Sequence, residues 1–115
     1  MSDFMVQYDN CVSVYIGMNV GYIQRSYDES GKYNYRLITG EIKSIRLGKR
    51  KQMVEIDGFY PLDLEDVCGD MRSFIDCLEK GIMTVDTYFI ADKKTVEHVT
   101  KWIEWTKTHD PSIFA

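Results

Sequence analysis

The chain has 115 residues, of which 44% are hydrophobic and 28% charged, with a formal net charge of -4 at pH 7. That length suits one core and excludes two independent domains, and the negative total argues against a general nucleic-acid binder. The total hides an asymmetry: residues 1–51 hold eight Lys and Arg against five Asp and Glu, a net of +3, and residues 52–115 hold six against thirteen, a net of -7. Such a chain is electrically two-ended, which would steer one partner or let copies associate.

Cys11, Cys68 and Cys77 are odd in number and lack C-x-x-C spacing, so neither a disulfide framework nor a zinc site is expected, and a reducing cytoplasm fits best. The beginning of the sequence has no basic segment followed by an apolar run, and no stretch approaches the about 20 apolar residues of a membrane helix. The expectation is a soluble protein without membrane contact.

In chain order, Phe4, Val6 and Tyr8 alternate, Asp9-Asn10 makes a tight turn, and Val12, Val14 and Ile16 alternate again, which predicts a hairpin. Gly17 and Gly21 bracket a bend. No G-x-G-x-x-G and no Lys-Ser ending follows, so this is not a phosphate loop. Tyr22–Tyr27 is a strand, and Asp28, Glu29, Ser30 and Gly31 turn the chain, Gly31 supplying a positive φ. Around that turn Tyr27, Tyr33 and Tyr35, with Tyr22, Arg25 and Arg36, form the mixture that single-stranded nucleic acid would stack on; the competing reading is ordinary strand tyrosines with one wet edge.

Tyr33, Tyr35, Leu37 and Thr39 alternate with Asn34, Arg36 and Ile38 and continue the sheet. After Gly40, Ile42 and Ile45 are three apart, so side-chain parity slips by one, which predicts a bulge or bend. Gly48–Lys51 turns the chain into a strand with Val54 and Ile56 on one side, ended by Asp57-Gly58. Lys43, Arg46, Lys49, Arg50 and Lys51 put five cations in nine residues at this tip. They would grip phosphates or an acidic protein patch, or simply protect a sheet edge from aggregation.

A bent strand, a basic tip, a strand of the form V-x-I-x-G and the closing Phe-Tyr-Pro-Leu-Asp-Leu-Glu-Asp-Val resemble the way small five-stranded barrels of the Src-homology-3, Tudor and KOW kind are built. The resemblance spans residues 12–67 and implies a fold; it carries over no functional residue.

Asp70 then predicts the N-cap of a helix ending at Gly81, with Met71, Phe74, Ile75 and Leu78 as its apolar stripe and Cys68 and Cys77 as small core residues. Residues 83–91 read as one strand. Asp92 or Thr95 caps a second helix over 93–109, before Pro111. At about 100° per residue, Val96, Val99, Ile103 and Thr106 form its core stripe, and His98, Trp102, Trp105 and His109 form a second stripe about 100° away. Trp is enriched as an interface anchor, so the second stripe is a candidate protein-binding surface; the competing reading buries both stripes in a groove. His98 and His109, three turns apart, cannot chelate one metal unaided, and adjacent Glu65-Asp66 reads as a solvated turn.

The expected fold is therefore α+β: a bent antiparallel sheet, or a small partly open Src-homology-3-like barrel, with two later helices packed on it. With no catalytic constellation and no cofactor or metal motif, the expected function is non-enzymatic binding of another protein. In size and composition the chain is similar to small phage-encoded proteins that bind and inhibit host machinery. The alternative is nucleic-acid binding through the basic tip and neighbouring tyrosines. Homo-oligomers are expected to be within reach of exposed sheet edges and opposed charge.

Overall fold

A computed structural model describes residues 5–8, 12–109 and 113–114, with side chains described for 14–109. The fold is α+β. Strands β1 (Met5–Tyr8) and β2 (Val12–Tyr15) pair antiparallel as an opening hairpin; Phe4 and the Asp9-Asn10 turn lie outside the described residues. Strands β3 (Asn19–Tyr27), β4 (Tyr33–Leu47), β5 (Gln52–Ile56), β6 (Leu62–Asp63) and β8 (Phe89–Ile90) form an antiparallel sheet in the order β6-β5-β4-β3-β8. Helix α1 (Leu64–Glu79), strand β7 (Met83–Thr84), helix α2 (Lys93–Thr106) and strand β9 (Ile113–Phe114), parallel to β7, complete the order.

The sheet is open. Its edges β6 and β8 are two-residue strands, and they do not pair with each other. Of the two architectures the sequence suggested, the bent sheet is the one adopted, and no barrel closes.

The turn between β3 and β4 and the bulge in β4 both follow from local chemistry. Asp28 Oδ1 accepts from the Ser30 and Lys32 backbone N–H groups, each at 2.9 Å, and from Ser30 Oγ at 2.6 Å, while Gly31 takes φ 84°. The Ser30 hydroxyl, then the Lys32 N–H, lead in holding the Asp28 carboxyl down at about 2, below its ordinary value. At the other end, the β4–β5 register runs Ile42↔Ile56 and then Ser44↔Glu55, so Lys43 is the extra residue of a bulge. The bulge is what returns Ile45 to the side of Ile42, as the three-residue spacing requires.

Alternation along β3 sends Val20 and Ile23 to different clusters, so the core lies on both faces of the β3–β4 ladder. One cluster joins Val20, Ile42, Val54 and Ile56 to Leu64, Val67, Cys68 and Met71 of α1. The other joins Ile23 to Phe74, Val85, Phe89 and Val99, with Tyr35, Leu37, Trp102 and Ile103 packed around it. α1 serves both clusters, and α2 covers the second.

Two boundaries differ from the sequence reading. The first helix begins at Leu64, seven residues before the Met71 start that an Asp70 cap implied, because Asp63 is the N-cap and accepts from Glu65 N at 2.9 Å. Glu65 and Asp66 then complement the positive end of the helix, in place of forming a solvated turn. Asp70 lies inside the helix and accepts from Tyr88 N at 3.3 Å. The helix end is as expected: Ile82 N donates to Cys77 O at 2.9 Å and Gly81 takes φ 74°. Residues 83–91 are not one strand. Asp86, at φ 57°, breaks them into β7 and β8, and its N–H donates to Ile23 O at 2.9 Å. The second helix is capped by Asp92, as one of the two expected residues, and its α-helical part stops at Thr106.

Candidate functional site

The structure separates the two tryptophans. Trp102 is half-buried, its ring edge-on to Tyr35 at 5.0 Å between centroids and packed with the second cluster. Trp105 is 43% exposed and stacks on His109 at 4.6 Å with the rings 3° from parallel. His109 Nδ1 lies 2.8 Å from Thr108 Oγ1 and 3.1 Å from the Trp105 carbonyl oxygen. The expected core stripe is in place, with Val99 and Thr106 buried and Val96 and Ile103 half-buried. The expected second stripe divides: Trp102 is a wall of the core, while His98, Trp105 and His109 face solvent.

Between this stripe and the end of α1 lies a cleft of about 440 Å³, lined by Leu78, Gly81, Ile82, Met83, His98, Trp102 and Trp105. A second cleft, also about 440 Å³, continues along α2 past Leu78, Lys94, Thr95, Glu97, His98 and Lys101. The two share Leu78 and His98 and form one trench. From Thr95 to Trp105 it follows α2 for about 15 Å. Its far wall was not legible in the sequence. Gly81 was recognisable as a helix cap, but that the turn after it faces α2 is a tertiary fact carried by the packing of Phe74 and Met83 with Val99.

The basic hairpin tip is largely neutralised. Lys43 pairs with Glu41 at 3.3 Å, Arg46 with Glu55 at 2.9 Å and Lys51 with Asp63 at 3.5 Å. Lys49 and Arg50 have no ion pair among the described residues. They border a shallow cleft of about 370 Å³ whose other side carries Asp63 and Glu65, and Leu47 beside them is 82% exposed. The charge asymmetry of the sequence is thus partly folded together, since Arg46–Glu55 and Lys51–Asp63 join the basic half to the acidic half.

The tyrosine rings pack on neighbours and stay partly open, Tyr27 66% and Tyr33 47% exposed. Tyr27 and Tyr33 are cross-strand partners packed edge-on at 4.9 Å, the Arg25 guanidinium sits 4.7 Å over the Tyr33 ring, and Tyr35 is held by Trp102. Tyr33 and the tip are at opposite ends of β4, as much as about 45 Å apart at the usual strand rise. The tip and the tyrosines do not form one surface.

Two further groups bear on chemistry. Tyr22, Phe59 and Tyr88 form an aromatic trio with centroids 5.6 to 6.0 Å apart. The rings touch one another and leave no cage between them. Burial pushes the neighbouring Asp70 carboxyl above its ordinary value. Cys68 is fully buried, and burial raises its thiol to about 11, so it is not a thiolate near neutral pH. Cys77 is half-buried. Among the described residues no group of His, Cys, Asp and Glu is arranged to hold a metal ion, and no helix is long and apolar enough to cross a membrane. No protein-family model, curated protein or solved structure matches the chain.

Proposed function

We propose that the protein is a non-enzymatic binding module that docks a segment of another protein in the trench between the end of α1 and the Trp105 side of α2. One observation carries the reading: an apolar cleft of about 440 Å³ opens beside an indole that is 43% exposed on α2. An aromatic anchor beside a pocket is the arrangement found at the energetic centre of protein interfaces. Lys94, Lys101 and Glu97 border the trench as a polar rim, which sets the orientation of a partner more than its affinity. The test is recovery of partners from nuclease-treated lysate by wild-type protein and by Trp105→Ala in parallel. A protein held by the wild type and lost by the variant supports the reading; one held equally by both contradicts it. The likeness to small phage-encoded inhibitors makes the activity of the recovered protein the next readout.

Nucleic-acid binding through the hairpin tip is the second reading, favoured by Lys49 and Arg50, which have no ion pair among the described residues. It rests on two charges in place of five, and without the tyrosines. Its salt dependence should then be shallow, with a slope of about -2 in log affinity against log salt. Anisotropy of a labelled oligonucleotide measures this, and Lys49→Ala with Arg50→Ala should abolish the slope. Binding that survives the double substitution unchanged would eliminate the tip.

A further inference from the structure

Strand β4 outruns one of its neighbours. β3 pairs with it from Tyr33 to Glu41, whereas the β5 register on its other side begins only at Ile42. Which backbone groups face the uncovered side follows from the two ends of this stretch. Asp28 N donates to Lys32 O at 2.9 Å, so even-numbered residues turn toward β3; Asp57 N donates to Glu41 O at 2.9 Å, so odd-numbered ones turn away. Tyr33, Leu37 and Thr39 therefore point their N–H and C=O groups outward, and none of these groups has a partner among the described residues. Tyr35 shares their parity and is held by Trp102.

Such an edge is a template for one more strand, and this one lacks the usual protections. Residues 33–41 contain no Pro and no Lys, and their one cation, Arg36, is turned across the ladder to Gln24 Oε1 at 2.8 Å. Beneath α2 the edge opens into a pocket of about 70 Å³, lined by Tyr33, Asn34, Ile103 and Thr106 among others, with room for one small side chain. A second copy does not fit there. α2 lies over this part of β4, so antiparallel pairing of two β4 edges, about 4.8 Å apart, would bring the two α2 helices closer than the about 8–10 Å at which helices pack. A single extended chain carries no such helix.

We infer that the outer edge of β4, from Tyr33 to Thr39, accepts an extended segment of another protein as an added strand, with one small apolar side chain of that segment seated in the pocket under α2. The outward groups of Tyr33, Leu37 and Thr39 supply affinity that is blind to sequence, and the pocket supplies selectivity. The site shares no lining residue with the trench, so the two stand or fall separately.

Amide exchange and a peptide titration on the full chain, both followed by nuclear magnetic resonance, are the test. In the free protein the N–H groups of Leu37 and Thr39 should exchange about tenfold or more faster than those of Arg36 and Ile38, which face β3. Equal protection of all four would show that the edge is already covered and would overturn the site. The probe is a capped peptide of alternating threonine and valine at about 1 mM, and its control carries proline at each valine and so cannot donate there. The expected result is saturable shifts at Leu37, Thr39 and Ile103 with slowed exchange at Leu37 and Thr39, and no response to the control. Thr39→Pro removes one outward donor and leaves the β3 ladder whole, so it should weaken peptide binding about tenfold or more while the circular dichroism spectrum is retained. The wild-type exchange rates decide the matter even where that variant fails to fold. Absence of shifts at about 1 mM, shifts confined to Leu78, His98 and Trp105, or equal binding by a folded Thr39→Pro would each overturn the assignment.

Discussion

Gly40 shows at a single residue how the long strand is forced to bend. A Cβ there would collide with the Asp57 carbonyl and lie 2.8 Å from both Ile56 Cγ2 and Phe59 Cε1. Only a residue without a side chain lets β4 pass that close to the end of β5, three residues before the bulge at Lys43. Gly40→Ala is therefore expected to destabilise the protein by about 1–3 kcal/mol, the usual cost of overpacking, measured by urea denaturation. An unchanged midpoint would show that the neighbouring strand yields freely. The glycine was visible in the sequence as an interruption of alternation, but its neighbours Ile56 and Phe59 were not. Asp28 offers a second test at this scale. Its carboxyl is depressed in the folded state, so its contribution is present above the ordinary carboxylate value and is lost as pH falls through about 2. The melting-temperature advantage of wild type over Asp28→Asn should be present at neutral pH and should shrink across that window. A difference independent of pH would mean that the carboxylate's hydrogen bonds, led by the Ser30 hydroxyl, are not what the turn depends on.

At the scale of elements, β2 to β5 and the α2 cap were legible because their signals are local. Alternation, Gly31, the three-residue spacing of Ile42 and Ile45, and Asp92 each act within a few residues. The start of α1 was obscured by Asp70, which reads as an N-cap yet lies inside the helix together with Gly69, a residue that costs about 1 kcal/mol there. Burial of Leu64, Val67 and Cys68 outweighs that cost, and burial is not a local property. The same limit applied to α2. Trp102 and Trp105 are three apart and share a stripe, and only the position of Tyr35 across the sheet separates their roles. Trp102→Ala should cost about 3 kcal/mol of stability through loss of its packing on Tyr35, whereas Trp105→Ala should cost less than about 1 kcal/mol. Thermal denaturation of the two variants side by side tests this, and equal losses would contradict the division of the stripe.

At the scale of the molecule, charge and apolar surface are distributed differently from their order in the chain. The basic tip folds against Asp63 and Glu55 and is mostly compensated, while an apolar trench forms where two helices distant in sequence converge. Sequence spacing could place His98, Trp105 and His109 on one face of a helix, but it could not show that Leu78 and Ile82 stand opposite. The account as a whole therefore turns on whether Trp105 meets a partner in that trench. The most direct measurement uses Trp102→Phe, which keeps an aromatic ring on Tyr35 and leaves Trp105 as the sole indole, titrated with the protein recovered by the wild type. The account predicts emission typical of a solvated indole that shifts to shorter wavelength and saturates as the partner binds. Binding without any change in Trp105 emission would contradict it.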